Sequence, residues 1–364
     1  MTDRPGAARV LTNLLRTGKI PHALLFTGID GVGRYHAAIE FAMALNCTAP
    51  KADSTTRDDR RPGEKDGAAW RACGTCPTCK KINAGMHPDI IRVQPANNAV
   101  KIAHIRSLRD ALALKPYDAR HRFAIVEKAQ LMTVPAANAL LKILEEPPAG
   151  TTLILIASKP SDLITTITSR CQHLRFPPLP EAQIAKAIAA SEGIDAASAR
   201  IIAAMAGGSD QTARDTASEQ WLRHRDWLID ELIQMHHPAN ADRESRFRRT
   251  LVIADVLARD SQQLPNRLGI IKSWLRDAAV LPFAADQVIN RDKTDQIAPM
   301  AASVSPRTLS NCFKDLEKTE KQIRANANPR LALETFLISL MQAISPVDGM
   351  ASIGNHGKNR RYPV

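Results

Sequence analysis

Gly28-Ile29-Asp30-Gly31-Val32-Gly33-Arg34-Tyr35 follows a short apolar run, Ala23-Leu24-Leu25-Phe26, and opens a stretch of helical spacing from Arg34 to Asn46. Its glycines keep the spacing of G-x-x-x-x-G-K-[ST], the loop whose backbone N–H groups cradle phosphates between a strand and a helix. In that pattern Lys reaches the β/γ-phosphates and Ser or Thr ligates Mg²⁺. Here Arg34 stands at the Lys position and Tyr35 at the hydroxyl position. A tyrosine is too long to ligate a metal at that point. The loop Gly28, Gly31, Gly33 and Arg34 therefore reads as degenerate: either a residual phosphate cradle or only a tight turn kept for strand–helix packing.

Outward from this loop, strands and helices alternate. Asp89–Val93, Phe123–Val126 and the nearly all-apolar Thr152–Ile156 read as further strands, the last buried on both faces. Between them, Ile102, Ile105, Leu108 and Leu112 mark an amphipathic helix. A second helix runs from Thr133 to Glu146 and stops at Pro147-Pro148. The alternation predicts a parallel α/β sheet with crossover helices, its phosphate chemistry at the carboxyl ends of the strands.

Four of the six cysteines form a set. Cys73, Cys76 and Cys79 are joined by two C-x₂-C steps, and Cys47 lies upstream. Four thiolates suit tetrahedral structural Zn²⁺ and leave no open coordination position for catalysis. A disulfide or a redox C-x-x-C are the competing readings. Pro50 to Trp70, between the ligands, is charged and turn-rich and reads as a mobile loop pinned at its ends. Cys171 and Cys312 are isolated and read as small buried hydrophobes.

After Pro177-Pro178-Leu179-Pro180 the strand signals stop. An alanine-rich helical stretch is broken by Gly193 and Gly207-Gly208, and helical patterning continues through Trp221, Trp274 and on to Met341. The organisation expected is an α/β module over 1–177, a small helical lid over 178–214, an all-helical domain over 215–345 and a disordered basic tail over 346–364.

Across 364 residues, no apolar run approaches the ~20 residues that cross a bilayer. With no secretory pattern at the N-terminus, a cytoplasmic location is the expectation. The net charge of +12 points to a polyanion, while 4% aromatics are too few for a stacking platform. The basic run Arg243–Arg249 reads as a solvated helix face before a DNA contact.

The segments His22–Gly28, Ala42–Cys47 with the cysteine cluster, Asn138–Pro148 (NALLKILEEPP), Ser169-Arg170-Cys171 and Asn328–Glu334 resemble the bacterial DNA polymerase III clamp-loader subunits of the AAA+ class. The resemblance implies an AAA+-type parallel-sheet module with a zinc-binding insertion, a helical lid and a helical collar. It also implies assembly with gamma/tau and delta subunits, acting on a sliding clamp and primed DNA.

Members that hydrolyse ATP carry an acidic pair after the third strand and Gly-Ser-x-Arg in the lid. This chain has Glu127-Lys128 and Gly208-Ser209-Asp210-Gln211. Lys128 cannot activate water, and the lid charge is gone. Among family members the non-hydrolysing kind fits better than a gamma/tau-type ATPase. Arg170 is retained; in the family it projects to the ATP held by a neighbour, a finger given in trans. On motif grounds alone it is a helix-end arginine bonding carbonyls or a carboxylate. Two further readings stay open: an ATPase that uses Arg34 in place of Lys, and a free-standing zinc-dependent nucleic-acid-binding module.

Overall fold

Five short parallel strands carry the first half of the chain. In the computed structural model, which describes residues 5–49, 51–53, 69–236 and 243–344, these are β1 (Ala23–Thr27), β4 (Ile90–Val93), β5 (Arg122–Val126), β6 (Thr151–Ala157) and β7 (Gln172–Arg175). Their order is β4-β5-β6-β1-β7, and every pairing is parallel. The expected tail 346–364 and most of the expected loop 50–70 lie outside the described residues. The ends of that loop form a two-stranded antiparallel ribbon, β2 (Lys51–Asp53) with β3 (Ala69–Arg71), which the charged composition does not announce.

Parallel strands must be apolar on both faces because crossover helices cover both. All of β1 and β6 is buried, and successive residues divide between two cores. Leu24, Phe26, Phe123, Ile125, Ile154 and Ile156 face α1 (Pro5–Thr17), α2 (Arg34–Asn46) and α3 (Pro77–Asn83) through Leu11, Phe41 and Ile82. Leu25, Val126, Leu153 and Leu155 face α4 (Ile102–Ala113) and α5 (Val134–Glu145) through Ile105, Leu108, Leu140 and Ile143. The four expected strands and three expected helices of this half are present, within a residue or two at their ends. The short α6 (Thr165–Thr168) leads to β7, the strand that patterning does not reveal. Only Leu174 of β7 is buried, since the strand lies at the sheet edge beside β1.

The chain divides into two compact units, Met1–Ile184 with Ala206–Arg214, and Ala185–Met205 with Asp215–Val364. The connecting helices are α7 (Glu181–Glu192), α8 (Ala196–Met205) and α9 (Asp210–Thr216). The second unit continues with α10 (Glu219–His236), α11 (Arg243–Ala258), α12 (Leu264–Val280), α13 (Thr294–Ser303), α14 (Pro306–Arg324) and α15 (Pro329–Ile344). Leu228, Leu232, Ile271, Trp274, Leu316, Leu337 and Leu340 are among its buried residues.

A polar network runs from that helical core, where Arg225, Ser273, Asp277 and Asn290 are buried, to the exposed Asp292. Arg225, 1% exposed, donates to Asn290 Oδ1 at 2.7 Å and to both carboxylate oxygens of Asp292 at 2.7 and 2.8 Å. Asn290 in turn donates through Nδ2 to Asp277 and Ser273, and Asp277 also accepts the backbone N–H groups of Ile289 and Asn290. Each buried polar atom that one member exposes, another satisfies, which is what makes such a network tolerable in an apolar core.

Candidate functional site

The glycine loop joins β1 to α2 and needs its glycines for stated steric reasons. Gly28 has φ 153°, and a Cβ there would lie 2.3 Å from the carbonyl oxygen of Phe176. At Gly31 (φ 77°) a Cβ would lie 2.0 Å from Ser209 Oγ. Gly33, φ 74°, is the N-cap of α2. The close approach at Gly31 arises because the start of α9 rests on the loop, with Gln211 N–H donating to Gly31 O at 3.1 Å. Ser209 Oγ accepts from Thr212 N at 3.1 Å, which starts that helix.

Arg34 is buried, and its guanidinium turns inward. Nη1 donates to the backbone oxygen of Ala157 at the end of β6, and Nη2 pairs with Asp30 Oδ1 at 2.5 Å. The residue at the phosphate-reaching position thus spends its donors on the protein itself. Tyr35, next along, presents its ring to Arg92, whose Cζ lies 4.3 Å from the ring centroid. Burial raises the Tyr35 phenol above its ordinary value. Arg92 Nε also donates to Glu127, which follows β5 and is 18% exposed. Lys128 occupies the left-handed region, φ 46°, and opens the turn Ala129–Leu131. Ser158, at the end of β6, accepts from Gln130 Nε2 at 3.2 Å.

Arg170 lies just beyond α6. Its Nη1 donates to Thr166 O at 3.0 Å and its Nη2 to Glu145 Oε1 at 2.9 Å. The side chain remains 37% exposed. It is therefore oriented by a carbonyl and a carboxylate, and it is reachable from outside.

The four cysteines come together at the far end of α2. Their sulfurs all lie within 4.8 Å of one another. A tetrahedral zinc with Zn–S near 2.3 Å sets sulfurs about 3.8 Å apart, so small shifts bring this set to coordination distance. Cys47 caps α2, Cys76 caps α3, and Cys47 and Cys79 are buried in the core. Backbone N–H groups already aim at sulfur: Cys73 N to Cys47 at 3.3 Å, Cys76 N to Cys73 at 3.2 Å and Cys79 N to Cys76 at 3.4 Å. Such donors favour the thiolate. The Cys76 thiol, bonded to Thr48, is lowered to about 5, while burial pushes Cys79 up to about 12. Cys312 is buried as expected, but Cys171 is only half-buried beside the α4–α5 core.

Sequence reasoning singles out Arg34, Tyr35, Glu127 and Arg170. It misses Asp30, Arg92 and Glu145, the groups that hold them. Asp30, i and i+4 from Arg34, was the one with a local signal.

The DNA polymerase III, delta subunit family matches residues 4–180, and its delta subunit, C terminal family matches residues 242–342. DNA polymerase III subunit delta' of Bacillus subtilis is 25% identical over 343 residues, 93% of this chain and 96% of the relative. The chain belongs to the clamp-loader subunits of DNA polymerase III. The clamp-loader subunit is also similar to the B. subtilis subunit tau, at 33% identity over 168 residues, 46% of this chain and 27% of tau. A solved gamma subunit-related protein of Thermotoga maritima covers 92% of this chain and 99% of its own, with TM-score 0.47 and 16% identity. This clamp-loader subunit combines a five-stranded parallel sheet with a helical C-terminal unit. None of its described helices is long and apolar enough to cross a membrane.

Proposed function

We propose that this clamp-loader subunit is of the delta-prime kind: it does not hydrolyse ATP, and it lends Arg170 to the ATP site of a neighbouring gamma or tau subunit. The observation that carries the reading is the state of the two arginines. Arg34, at the phosphate position, is buried against Ala157 O and Asp30, whereas Arg170 is exposed and held by Glu145. A planar guanidinium presented across a subunit boundary would neutralise charge on the γ-phosphoryl oxygens, an effect worth about 10³–10⁵ in rate in GTPase examples. In this reading the subunit assembles in the cytoplasm with gamma/tau and delta, and the ring places the sliding clamp on primed DNA during replication. The helical unit from residue 215 is its collar and residues 178–214 its lid.

Cys47, Cys73, Cys76 and Cys79 would hold a structural zinc ion, whose binding energy would add to folding. Their place in this arrangement is to fasten α3 to the end of α2. The backbone N–H donors at sulfur support the assignment.

A gamma/tau-type ATPase is the second reading, favoured by the 33% identity to tau over 168 residues. Steady-state ATPase of an assembly reconstituted from gamma, delta and this chain, with clamp and primed DNA, separates the two. The isolated chain should show no turnover, and Arg170→Ala should sharply reduce turnover by the assembly. Turnover by the isolated chain would establish the second reading, and an unaffected Arg170→Ala assembly would remove the arginine's role.

A further inference from the structure

We propose that Arg92 replaces the magnesium ion of the nucleotide site. Its guanidinium, set between the Tyr35 ring and the Glu127 carboxylate, is a built-in cation that closes the metal niche. The proposal deepens the reading of a non-hydrolysing subunit and rests on it.

In working phosphate loops, the hydroxyl after the lysine and a carboxylate at the end of the third strand share Mg²⁺. The two corresponding positions here are Tyr35 and Glu127, and a single side chain contacts both. Arg92 Cζ lies 4.3 Å from the Tyr35 centroid on one side, and Nε donates to Glu127 on the other. The strand register enforces the meeting. Arg92 pairs with Ile125 in the β4–β5 ladder, and Glu127 N–H continues that ladder to Val93 O at 2.9 Å.

Electrostatics give the arrangement its direction. Glu127 is 18% exposed, and Arg92, 45% exposed, gives it a permanent counter-charge because a guanidinium does not deprotonate. A divalent ion would have to displace the Arg92 guanidinium from Glu127, and while the guanidinium stays nearby it repels the ion. On the phosphate side, Arg34 is committed to Ala157 O and Asp30. The residues present do not fit a magnesium–nucleotide complex. Repairing the loop itself therefore leaves the niche closed.

That consequence distinguishes the proposal from an ordinary surface ion pair. Binding of a fluorescent ATP analogue is measured on the full-length chain, with Mg²⁺ or with EDTA. The variants are wild type, Arg34→Lys with Tyr35→Thr, and that pair combined with Arg92→Ala or Arg92→Lys. Wild type and the repaired loop should show no magnesium-dependent binding. Adding Arg92→Ala should raise magnesium-dependent affinity by roughly tenfold or more, with the gain abolished by EDTA, whereas Arg92→Lys, which keeps a cation, should not.

Thermal melting checks that each variant is folded, and Arg92→Met replaces Arg92→Ala if the latter unfolds. The proposal is overturned if the repaired loop alone binds as tightly as the combination, or if the folded combination gains nothing. Magnesium-dependent binding with turnover by wild type would instead overturn the non-hydrolysing reading, and Arg92's role with it.

Discussion

Arg170 reaches back 25 residues along the chain to Glu145, placing Nη2 2.9 Å from Oε1. Both side chains are substantially exposed, at 37% and 50%. Exposed pairs of this kind contribute roughly 0–1 kcal/mol to stability. The contact therefore matters for where the guanidinium points rather than for how firmly the module folds.

Glu145→Gln should leave the melting temperature of the chain almost unchanged. Turnover of the reconstituted assembly should fall, though by less than with Arg170→Ala, because Thr166 O still holds Nη1. Arg170→Lys should behave like Arg170→Ala, since an ammonium cannot make both contacts in one plane. Equal turnover for Glu145→Gln and wild type would show that the carboxylate does not orient the finger.

Metal analysis of protein purified under reducing conditions should return about one zinc per chain, as a four-thiolate site holds. Cys76→Ser should lose the metal and lower the melting temperature, and a chelator should do the same to wild type. Cys312→Ser, outside the cluster, should keep the zinc. A metal-free wild type with unchanged stability under chelation would reduce the cluster to four packed thiols.

Gly31→Ala should destabilise the first unit by about 2 kcal/mol or more, because both the positive φ and the crowding by Ser209 oppose a Cβ. Gly6→Ala offers the contrast. It sits in α1 with nothing near its would-be Cβ, so the helix should gain up to about 1 kcal/mol. Denaturant unfolding of the two variants measures both, and equal effects would deny that α9 is pressed on the loop.

The helical unit should be acid-sensitive through Asp292. Burial raises this carboxyl, but the hydrogen bonds and charge of Arg225 outweigh it and leave the group below its ordinary 3.8. A folded-state value lower than the unfolded one stabilises above the unfolded value and is lost as pH falls through the folded one. The stability gap between wild type and Asp292→Asn should thus be constant near neutrality and narrow below about pH 3.8. Arg225→Ala should cost about 1–3 kcal/mol, since it leaves the buried Asn290 Oδ1 without its donor, while Asp292, 36% exposed, can turn to water. A gap independent of pH would remove Asp292 from the acid response.

What the sequence disclosed and what it hid divide along physical lines. Helix α2 is read to the residue because Gly33 and Cys47 bound an uninterrupted helical run. Strands β1 and β6 are legible because burial on both faces leaves apolar residues apart from threonines at their ends. Strand β7 escapes because Gln172, His173 and Arg175 are exposed at an edge. The four thiols announce themselves by spacing, whereas Arg92 does not. It is a lone basic residue in a short strand, and its carboxylate partner is 35 residues away. Pairings of that kind belong to the register of the sheet and cannot be counted along the chain.

The order of the sheet also bears on how the chain is made. Strand β1 leaves the ribosome before β6 and β7, yet Leu24 pairs opposite Ile154 and Leu25 opposite His173. At about 5–20 residues per second, a lag of roughly 130–150 residues lasts on the order of 7–30 s. Throughout that interval the four apolar residues Ala23, Leu24, Leu25 and Phe26 have neither neighbour, and the nascent chain depends on α1, α2 or a chaperone to shelter them.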